Sequence, residues 1–194
     1  MSPAIPTITR VRSEHPIAKR FTRDPDTGDL VKHPAENQLT SGEAYVEDTP
    51  SAAALAGLIE SLVAEDVLIL GRPKNGLRRA TVKTEKRVKG MGAEYAAQRG
   101  IIARTQEHFS YPSSAGWLLI DHDTDKMDED VRARVEALGG VLGALASIWP
   151  EFEDAARVHK ASSSGGVYVD GGAPSIATGS HTFVLVEDVA QSEA

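Results

Sequence analysis

The chain has 194 residues, 41% of them hydrophobic, and a formal net charge of −7, which is enough apolar material for one substantial core or two small ones packed together. It has no cysteine, which excludes disulfides and thiolate zinc sites, so any metal must be held by Asp, Glu, His or carbonyl oxygen. No apolar run reaches the roughly 18 residues of a membrane span, and the first residues lack the hydrophobic block of a signal peptide, so we expect a cytoplasmic protein with no membrane partner.

The sequence of residues 1–70 predicts short strands and one helix. Turn-forming residues in the stretch RDPDTGDL separate β-type segments within residues 1–48, which indicates a small antiparallel element. Thr49 and Pro50 are predicted as the N-cap and first residue of a helix, because Leu, Ile and Val recur over residues 55–63 at one-face helical spacing. The stretch VLIL that follows is typical of a buried strand.

Residues 71–105 carry ten Lys and Arg against two Glu, a net charge of +8 in a chain that is acidic overall. Such a density can neutralise phosphates and release their counterions, although a solvated loop that aids solubility explains the composition equally well. Interrupting glycines predict a surface loop with one helix near residues 92–99. The candidate nucleic-acid-binding residues are Arg72, Lys74, Arg78, Arg79 and Arg104.

A second group of elements begins at WLLID, which predicts a strand, and continues into a long amphipathic helix over about residues 128–148 that ends before Pro150. Gly139 and Gly140 weaken the middle of this helix. Strand segments follow at ARVHKAS, at a short GVYV and at HTFVLVE, whose apolar run is expected to be buried on both faces.

The order strand, helix, strand, strand supplies four of the six elements of a ferredoxin-like βαββαβ module. We therefore predict an α+β protein in which an N-terminal αβ unit with the basic segment, residues 1–105, packs on an RRM-like or ferredoxin-like module, residues 106–194. The sheet of that module would lack its fourth strand, so we expect it to be incomplete at its C-terminal end, as in a truncated chain or one completed by another segment.

Two carboxylates follow the apolar run of WLLIDHD. Asp121 and Asp123 are two residues apart, which on an extended strand directs both side chains to the same face. Two carboxylates a few ångströms apart repel each other unless a cation lies between them, and hard oxygen ligands suit Mg²⁺ or Mn²⁺ bound together with phosphate and water. The alternative is a polar strand end in which Asp125 or Asp128 caps the next helix.

The stretch RVHKASSSGG offers a second candidate cluster, because Lys160, Ser162 and Ser164 share a face if the strand continues through them. One cation and two hydroxyls can hold phosphate oxygens, and the following glycines let the backbone approach, but a turn that only ends a strand is the alternative. His181 starts the last apolar strand, where an imidazole can donate to a triphosphate or serve as a structural or surface histidine.

Taken together, IDHD, KASSS and GSH, in this order and with a helix between the first two, resemble the archaeo-eukaryotic primase superfamily, most closely the primase-polymerases of phages and plasmids. The first family motif is an acidic pair at a strand end, hDxD or hDxE, and it matches Ile120, Asp121 and Asp123. The stretch IIARTQEHFSYPSSAG before this strand is also similar to that of the phage-type members.

The second family motif, S-x-H, has two possible matches. Either Lys160 and Ser162 form its first part and His181 follows after a hairpin insertion, or the stretch 179–181, Gly-Ser-His, matches it with glycine in the first place. The third family motif, an hD on a later strand, has no convincing match, since Asp188 follows the last strand too early. With this acid missing, we expect weak or no polymerase activity from the chain alone.

The resemblance implies template-dependent nucleotidyl transfer by two divalent metal ions, Mg²⁺ or Mn²⁺, in the replication of a phage or mobile element. It implies DNA template and primer and nucleoside triphosphates as partners, and a helicase domain or protein is a common neighbour in such families. The roles it implies are metal ligation and catalysis for Asp121 and Asp123, catalysis and nucleotide binding for His181, and nucleotide binding for Lys160, Ser162 and Ser164.

Three other classes compete with this interpretation. Haloacid dehalogenase-type phosphatases also use DxD after an apolar strand, but they require Thr or Val where Asp125 stands and a later Lys and acidic pair. Toprim-type nucleases require a Glu on an earlier strand, which VLILGRP does not supply. The third class is a non-catalytic nucleic-acid-binding or interaction module, in which the acids and serines are ordinary polar termini.

Overall fold

The structure is a computed structural model that describes residues 5–17, 20–33, 38–111, 114–123, 127–162, 179–188 and 190. These residues form an α+β protein, which confirms the predicted class. The chain divides into two compact units, the first made of residues 1–20, 33–118 and 186–194 and the second of residues 21–32 and 119–185. The predicted boundary at 105/106 lies inside the first unit.

The elements are numbered in chain order. The strands are β1 Thr7–Ser13, β2 Arg20–Arg23, β3 Leu30–His33, β4 Ser41–Asp48, β5 Asp66–Ile69, β6 Arg72–Pro73, β7 Arg79–Lys83, β8 Ile101–Ala103, β9 Phe109–Ser110, β10 Gly116–His122, β11 Arg157–Ala161 and β12 Ser180–Val186. The helices are α1 Ala52–Glu60, α2 Glu85–Met91, α3 Ala93–Gln98, α4 Glu129–Ala137 and α5 Gly140–Ile148, with short 3₁₀ turns at Lys74–Gly76 and Pro150–Phe152.

A five-stranded mixed sheet with the order β5-β1-β4-β7-β8 forms the body of the first unit. β1 runs antiparallel to both β4 and β5, and β4 runs antiparallel to β7, whereas β7 and β8 are parallel. A parallel pair needs a long crossover, which α2 and α3 supply. The hydrophobic core of the first unit lies on one face of this sheet. It contains Val11, Ala44, Ala80, Val82, Ile102 and Phe109.

The basic segment is not the surface loop that the sequence predicts, although the helix predicted near residues 92–99 is confirmed as α3. This segment contributes β7 and β8 to the main sheet and folds into α2 and α3 between them. In β7, with the sequence RATVK, Ala80 and Val82 are buried and Arg79, Thr81 and Lys83 alternate with them on the other face. Ala80 and Val82 are the apolar residues of this strand, and both are short. Its charged residues therefore dominate its composition and hide the strand pattern.

The start of α1 is also placed differently from the prediction. Ser51, not Thr49, is the N-cap residue, and its hydroxyl accepts from the backbone N–H of Ala54 at 3.2 Å. Helix residues therefore begin at Ala52, beyond the predicted first residue Pro50.

Thr49 instead takes part in a buried polar contact of the first unit. It is 1% exposed, and its hydroxyl donates to the carbonyl of Pro6 at 3.3 Å. The same oxygen accepts from the indole N–H of Trp117 at 2.8 Å, and Trp117 is 2% exposed. The contact satisfies a buried indole donor, which would otherwise carry a desolvation penalty.

Charged side chains on the face of the sheet away from the core pair with one another. Arg12 donates to both carboxylate oxygens of Asp66, at 2.9 and 2.8 Å, and this guanidinium lowers the pKa of Asp66 below its ordinary value. Arg10 and Arg79 both lie over the ring of Tyr45, with guanidinium carbons 5.8 and 5.3 Å from its centroid. Arg10 also pairs with Glu47 at 2.9 Å and Arg79 with Glu43 at 3.3 Å, so each of these three guanidinium groups contacts a carboxylate.

Two glycines of the first unit provide a matched test of the β1–β4 pairing. A Cβ added at Gly42, in β4, would lie 2.4 Å from the carbonyl oxygen of Arg12, whereas a Cβ at Gly57, in α1, would meet nothing within 4 Å. We expect Gly42→Ala to lower the free energy of unfolding by about 1–3 kcal/mol through overpacking. Gly57→Ala should raise it by about 0.5–1 kcal/mol, since alanine has the better helix propensity. Urea unfolding measures the free energy of unfolding of both variants. A Gly42→Ala protein as stable as the wild type would contradict the register of the β1–β4 pair.

The second unit contains β2 and β3, which form a two-stranded sheet around the predicted turn. The carboxylate of Asp24 accepts from the backbone N–H groups of Asp26 and Thr27 at 2.8 and 3.1 Å, which lowers the pKa of Asp24. Gly28 completes the turn with φ of 78°, a value that favours glycine. The predicted turn chemistry is confirmed.

The predicted helix over residues 128–148 is two helices, α4 and α5. Gly139 and Gly140 have φ values of 87° and 81°, in the left-handed region where a helix cannot continue. The prediction of one continuous helix was wrong because adjacent glycines break it rather than weaken it. None of the helices in the described part of the chain has the length and apolarity needed to cross a membrane.

A three-stranded sheet with the order β10-β12-β11 contains three of the predicted site residues, Asp121, Lys160 and His181. β11 and β12 are antiparallel, with Val158 opposite Phe183 and Lys160 opposite His181. Phe183 and Val184 are buried in β12, as expected for the apolar run, whereas Leu185 and Val186 are only partly buried. The predicted short strand GVYV lies outside the described residues.

Candidate nucleotide and metal site

Three strands bring three predicted site residues into one row across the sheet. β12 is the central strand, and its residue His181 lies directly opposite Lys160 of β11, so the two side chains share a face. On the other side, the Nε2 atom of His181 lies 3.3 Å from the Oδ1 atom of Asp121 near the end of β10. We call Asp121, His181 and Lys160 the strand-end row.

The strand-end row is accessible to a ligand. The side chain of Asp121 is 66% exposed and that of His181 is 28% exposed. The Asp121–His181 contact is an ion pair only when the imidazole is protonated. A surface carboxylate beside a half-buried imidazole and an amine offers both a cation ligand and anion donors within one short stretch of sheet.

Ser162 lies next to the strand-end row, on the face of Lys160. Its backbone N–H donates to the carbonyl of Gly179 at 2.8 Å, which extends the β11–β12 pairing by one residue on each strand. A Cβ at Gly179 would lie 3.2 Å from both the Ser162 hydroxyl and the carbonyl oxygen of His122. Gly179 thus permits close packing of the segments that carry the two predicted motifs.

The two alternative matches to the S-x-H motif therefore meet in space. The register puts Lys160 and Ser162 against the stretch 179–181, so the residues separated by the predicted insertion are neighbours. Sequence reasoning left this pairing open and missed the packing role of Gly179. The signal for it was a glycine immediately before Ser-His at the start of a strand.

The remaining predicted residues lie outside the strand-end row. Asp123 is exposed and immediately follows β10, while Ser164 and Asp125 lie outside the described residues. Asp128 is the N-cap residue of α4, but its side chain makes no capping hydrogen bond. Asp128 therefore occupies the predicted capping position, without the capping hydrogen bond of its side chain.

The described part of the chain does not form a metal site from protein side chains alone. Within the described ranges, no group of three or more His, Asp or Glu side chains converges in the way that a protein-only metal site requires. Mg²⁺ is commonly held by one or two carboxylates, with substrate phosphates and water completing the octahedron. Asp121, with Asp123 two residues on, offers that kind of partial donor set.

The opposite face of the same sheet carries polar groups of a different kind. The Nδ1 atom of His159 lies 2.8 Å from the hydroxyl of Thr182, a structural hydrogen bond between β11 and β12. The Nε2 atom of His122 and the hydroxyl of Ser180 are buried and have no hydrogen-bond partner among the described residues. Strand alternation thus separates His181 from His122 and His159.

The five basic residues proposed for nucleic-acid contact fall into two groups, all in the first unit. Arg78 donates to Asp48 at 2.8 Å, and Arg79 pairs with Glu43 at 3.3 Å, so an acidic side chain already contacts each of them. The other three are exposed and make no ion pair with any described residue: Arg72, Lys74 and Arg104.

Comparison with protein-family models, with curated proteins and with solved structures found no match in any of the three. The likeness to primase-polymerases therefore rests on the motifs in the sequence alone.

Proposed function

We propose that this chain carries a nucleotidyl-transfer site of the DNA primase-polymerase type, which binds a nucleoside triphosphate with Mg²⁺ or Mn²⁺. The observation that carries the proposal is the strand-end row: Asp121, His181 and Lys160 come from separate segments, yet they lie on three adjacent strands and on one face. An acid for a cation beside two donors for phosphate oxygens is the chemistry that a metal-bound triphosphate requires.

Asp121 and Asp123 are the proposed metal ligands. When bound, Mg²⁺ or Mn²⁺ supplies Lewis-acid chemistry, lowering the pKa of the attacking hydroxyl and neutralising charge on the phosphates. The two carboxylates would hold the ion at the end of β10, together with phosphate oxygens and water. Cation binding at Asp121 competes with the contact to His181.

His181, Lys160 and Ser162 are the proposed triphosphate-binding residues, and Ser164 is retained from the motif. The Nε2 atom of His181 would donate to a phosphate oxygen in place of its contact with Asp121. The ammonium of Lys160, one strand away, neutralises charge on the same phosphates, and the Ser162 hydroxyl donates next to it. His181 is catalytic in this scheme because its donor stabilises the charge on the phosphates as pyrophosphate leaves.

The sheet order supports the finer fold assignment. In β10-β12-β11, a later strand lies between two strands that α4 and α5 connect, which is the split βαβ arrangement of a ferredoxin-like or RRM-like module. We therefore propose an RRM-like catalytic module in the second unit, which acts in the cytoplasm on DNA template and primer, with a helicase domain or protein as a further partner.

Calorimetric titration of the chain with a nucleoside triphosphate and Mn²⁺ tests this proposal. We expect saturable binding of the nucleotide to the wild type. The double variant Asp121→Ala, Asp123→Ala should bind at least about 100-fold more weakly. Mutating a residue that only orients a metal ligand costs about 10- to 100-fold in affinity, and removing the ligands themselves should cost more. The matched control is Glu153→Gln, Asp154→Asn, which removes two exposed charges from the same unit.

Wild-type binding that the Asp121 and Asp123 substitutions leave unchanged would refute the assignment of the metal site. Absence of any Mn²⁺-dependent nucleotide binding, together with retained DNA binding, would favour the non-catalytic nucleic-acid-binding module instead.

A further inference from the structure

A cavity in the first unit is lined by residues of α2, α3, β8 and the turn that follows β8, and none of its described residues belongs to the strand-end row. Its volume is about 290 Å³. Pockets that enclose a drug-sized ligand have volumes of roughly 300–1,000 Å³, so this cavity has room for a small molecule only.

The walls of the cavity are aliphatic. Val88 of α2, Ala96 of α3 and Ile102 of β8 line it and are buried, and the partly buried residues Leu77 and Ile101 extend the apolar surface. None of the described lining residues is Phe, Tyr or Trp. The cavity therefore suits an alkyl chain better than a planar ring.

Short side chains leave this space open. Ala93, Ala96 and Ala97 of α3 line the cavity, and Gly100 follows the helix. Gly100 has φ of 62°, a value that favours glycine, and a Cβ there would come no closer than 4.0 Å to the side chain of Leu77. The cavity exists because these four residues are too short to fill it.

One negative charge at the cavity is uncompensated. Lys89 contacts Glu85 at 2.5 Å, and their hydrogen bond lowers the pKa of Glu85 and raises that of Lys89, so both remain charged and neutralise each other. Glu107 also lines the cavity, is exposed and makes no ion pair with any described residue. The other polar lining residue that the structure describes is His108, whose Nδ1 atom lies 3.1 Å from the hydroxyl of Thr105. The carboxylate of Glu107 is therefore available to a cation.

We propose that this cavity binds a small aliphatic amine as its primary alkylammonium ion. The alkyl chain packs against Val88, Leu77 and Ile101, and the ammonium group contacts the carboxylate of Glu107. The same charge disfavours an alkyl carboxylate of equal length and gives no advantage to an alcohol. The proposal does not rest on the strand-end row or on the function proposed for it.

Titration of the isotope-labelled chain with n-pentylammonium, n-pentanol and pentanoate at low salt, followed by amide NMR, tests the proposal. We expect n-pentylammonium to cause saturable shifts of the amide signals of α2, α3 and β8. The alcohol should bind about two- to fivefold more weakly, the effect expected of an ion pair at an exposed carboxylate, and pentanoate more weakly still. High salt should reduce the preference for the ammonium ion. Lengthening the chain from ethyl to pentyl should raise the affinity by up to about fourfold per methylene.

Two pairs of variants separate the apolar walls from the charge. Ala97→Leu extends a longer side chain into the cavity and should weaken binding of n-pentylammonium by about tenfold or more, whereas Ala53→Leu, at an exposed position of α1, should bind as the wild type does. Leucine has a favourable helix propensity, so both variants should fold. Glu107→Gln should abolish the preference for the ammonium ion over the alcohol, whereas Glu60→Gln, at an exposed acid of α1, should keep it.

The proposal is overturned if the wild type shows no saturable shifts in α2, α3 and β8, or if n-pentanol binds as tightly as n-pentylammonium at low salt. Equal binding by Ala97→Leu and Ala53→Leu would also contradict it, as would a preference for the ammonium ion that survives in Glu107→Gln.

Discussion

Replacing His181 with alanine should weaken Mn²⁺-dependent binding of a nucleoside triphosphate by about 10- to 100-fold. The imidazole lies between Asp121 and Lys160, and a hydrogen bond to a charged phosphate contributes about 1.5–3 kcal/mol. Because the donor that is removed acts on phosphates, the effect should be largest for the triphosphate and smallest for the monophosphate. Competition against a fluorescent nucleotide, with the mono-, di- and triphosphates as competitors, measures this order.

The matched control is His159→Ala, on the opposite face of the same sheet. His159 bonds the hydroxyl of Thr182, so its removal should reduce stability and leave the relative affinities for the three phosphates unchanged. Equal weakening by the two substitutions would indicate that His181 acts through the fold and not through the ligand.

Trp117→Ala should lower the free energy of unfolding by about 3–5 kcal/mol, the usual cost of truncating a buried aromatic side chain. Trp117 is 2% exposed, and its indole N–H donates to the hydroxyl of Thr49, which is 1% exposed. Truncation therefore leaves a cavity and removes the donor to Thr49. Urea unfolding followed by circular dichroism measures the loss of stability.

Thr49→Val separates packing from hydrogen bonding at this contact. It keeps the shape of the side chain and leaves the Trp117 N–H unsatisfied, which costs about 1–3 kcal/mol. Combined with Trp117→Phe, it completes a double-mutant cycle in which the two losses of stability should be less than additive.

For the first of these variants, Trp117→Ala, a loss of stability below about 1 kcal/mol would contradict the buried position of the indole.

The sequence predicts those elements of the fold whose local signals agree with their packing. WLLID, ARVHKAS and HTFVLVE are strands, and the turn at residues 24–29 has the expected chemistry. The continuous helix over residues 128–148 was wrong for a local reason, the adjacent glycines Gly139 and Gly140. The surface loop predicted for the basic segment was wrong because tertiary packing decides the outcome there. Lys and Arg dominate RATVK, yet Ala80 and Val82 suffice to place it inside the main sheet, and no pattern in the chain reveals its neighbours.

The residues of the candidate site were predicted from the sequence, but their arrangement in space was not. Spacing and motif identify Asp121, Lys160 and His181, but the distance of 3.3 Å between His181 and Asp121 depends on β12 lying between β10 and β11. That order joins strands from distant parts of the chain, so local sequence cannot specify it. Gly179 was missed for a related reason, because its importance lies in the close approach of Ser162 and not in a turn of its own.

The most direct test of the central claim is proton NMR of the histidine side chains during titration with Mn²⁺ and a nucleoside triphosphate. Paramagnetic broadening falls off steeply with distance from the ion, so a site at Asp121 should broaden the imidazole signals of His181 at stoichiometric Mn²⁺. The broadening should disappear in the variant Asp121→Ala, Asp123→Ala. Sharp His181 signals at saturating Mn²⁺ and nucleotide, or equal broadening in that variant, would contradict a metal–nucleotide site at the strand-end row.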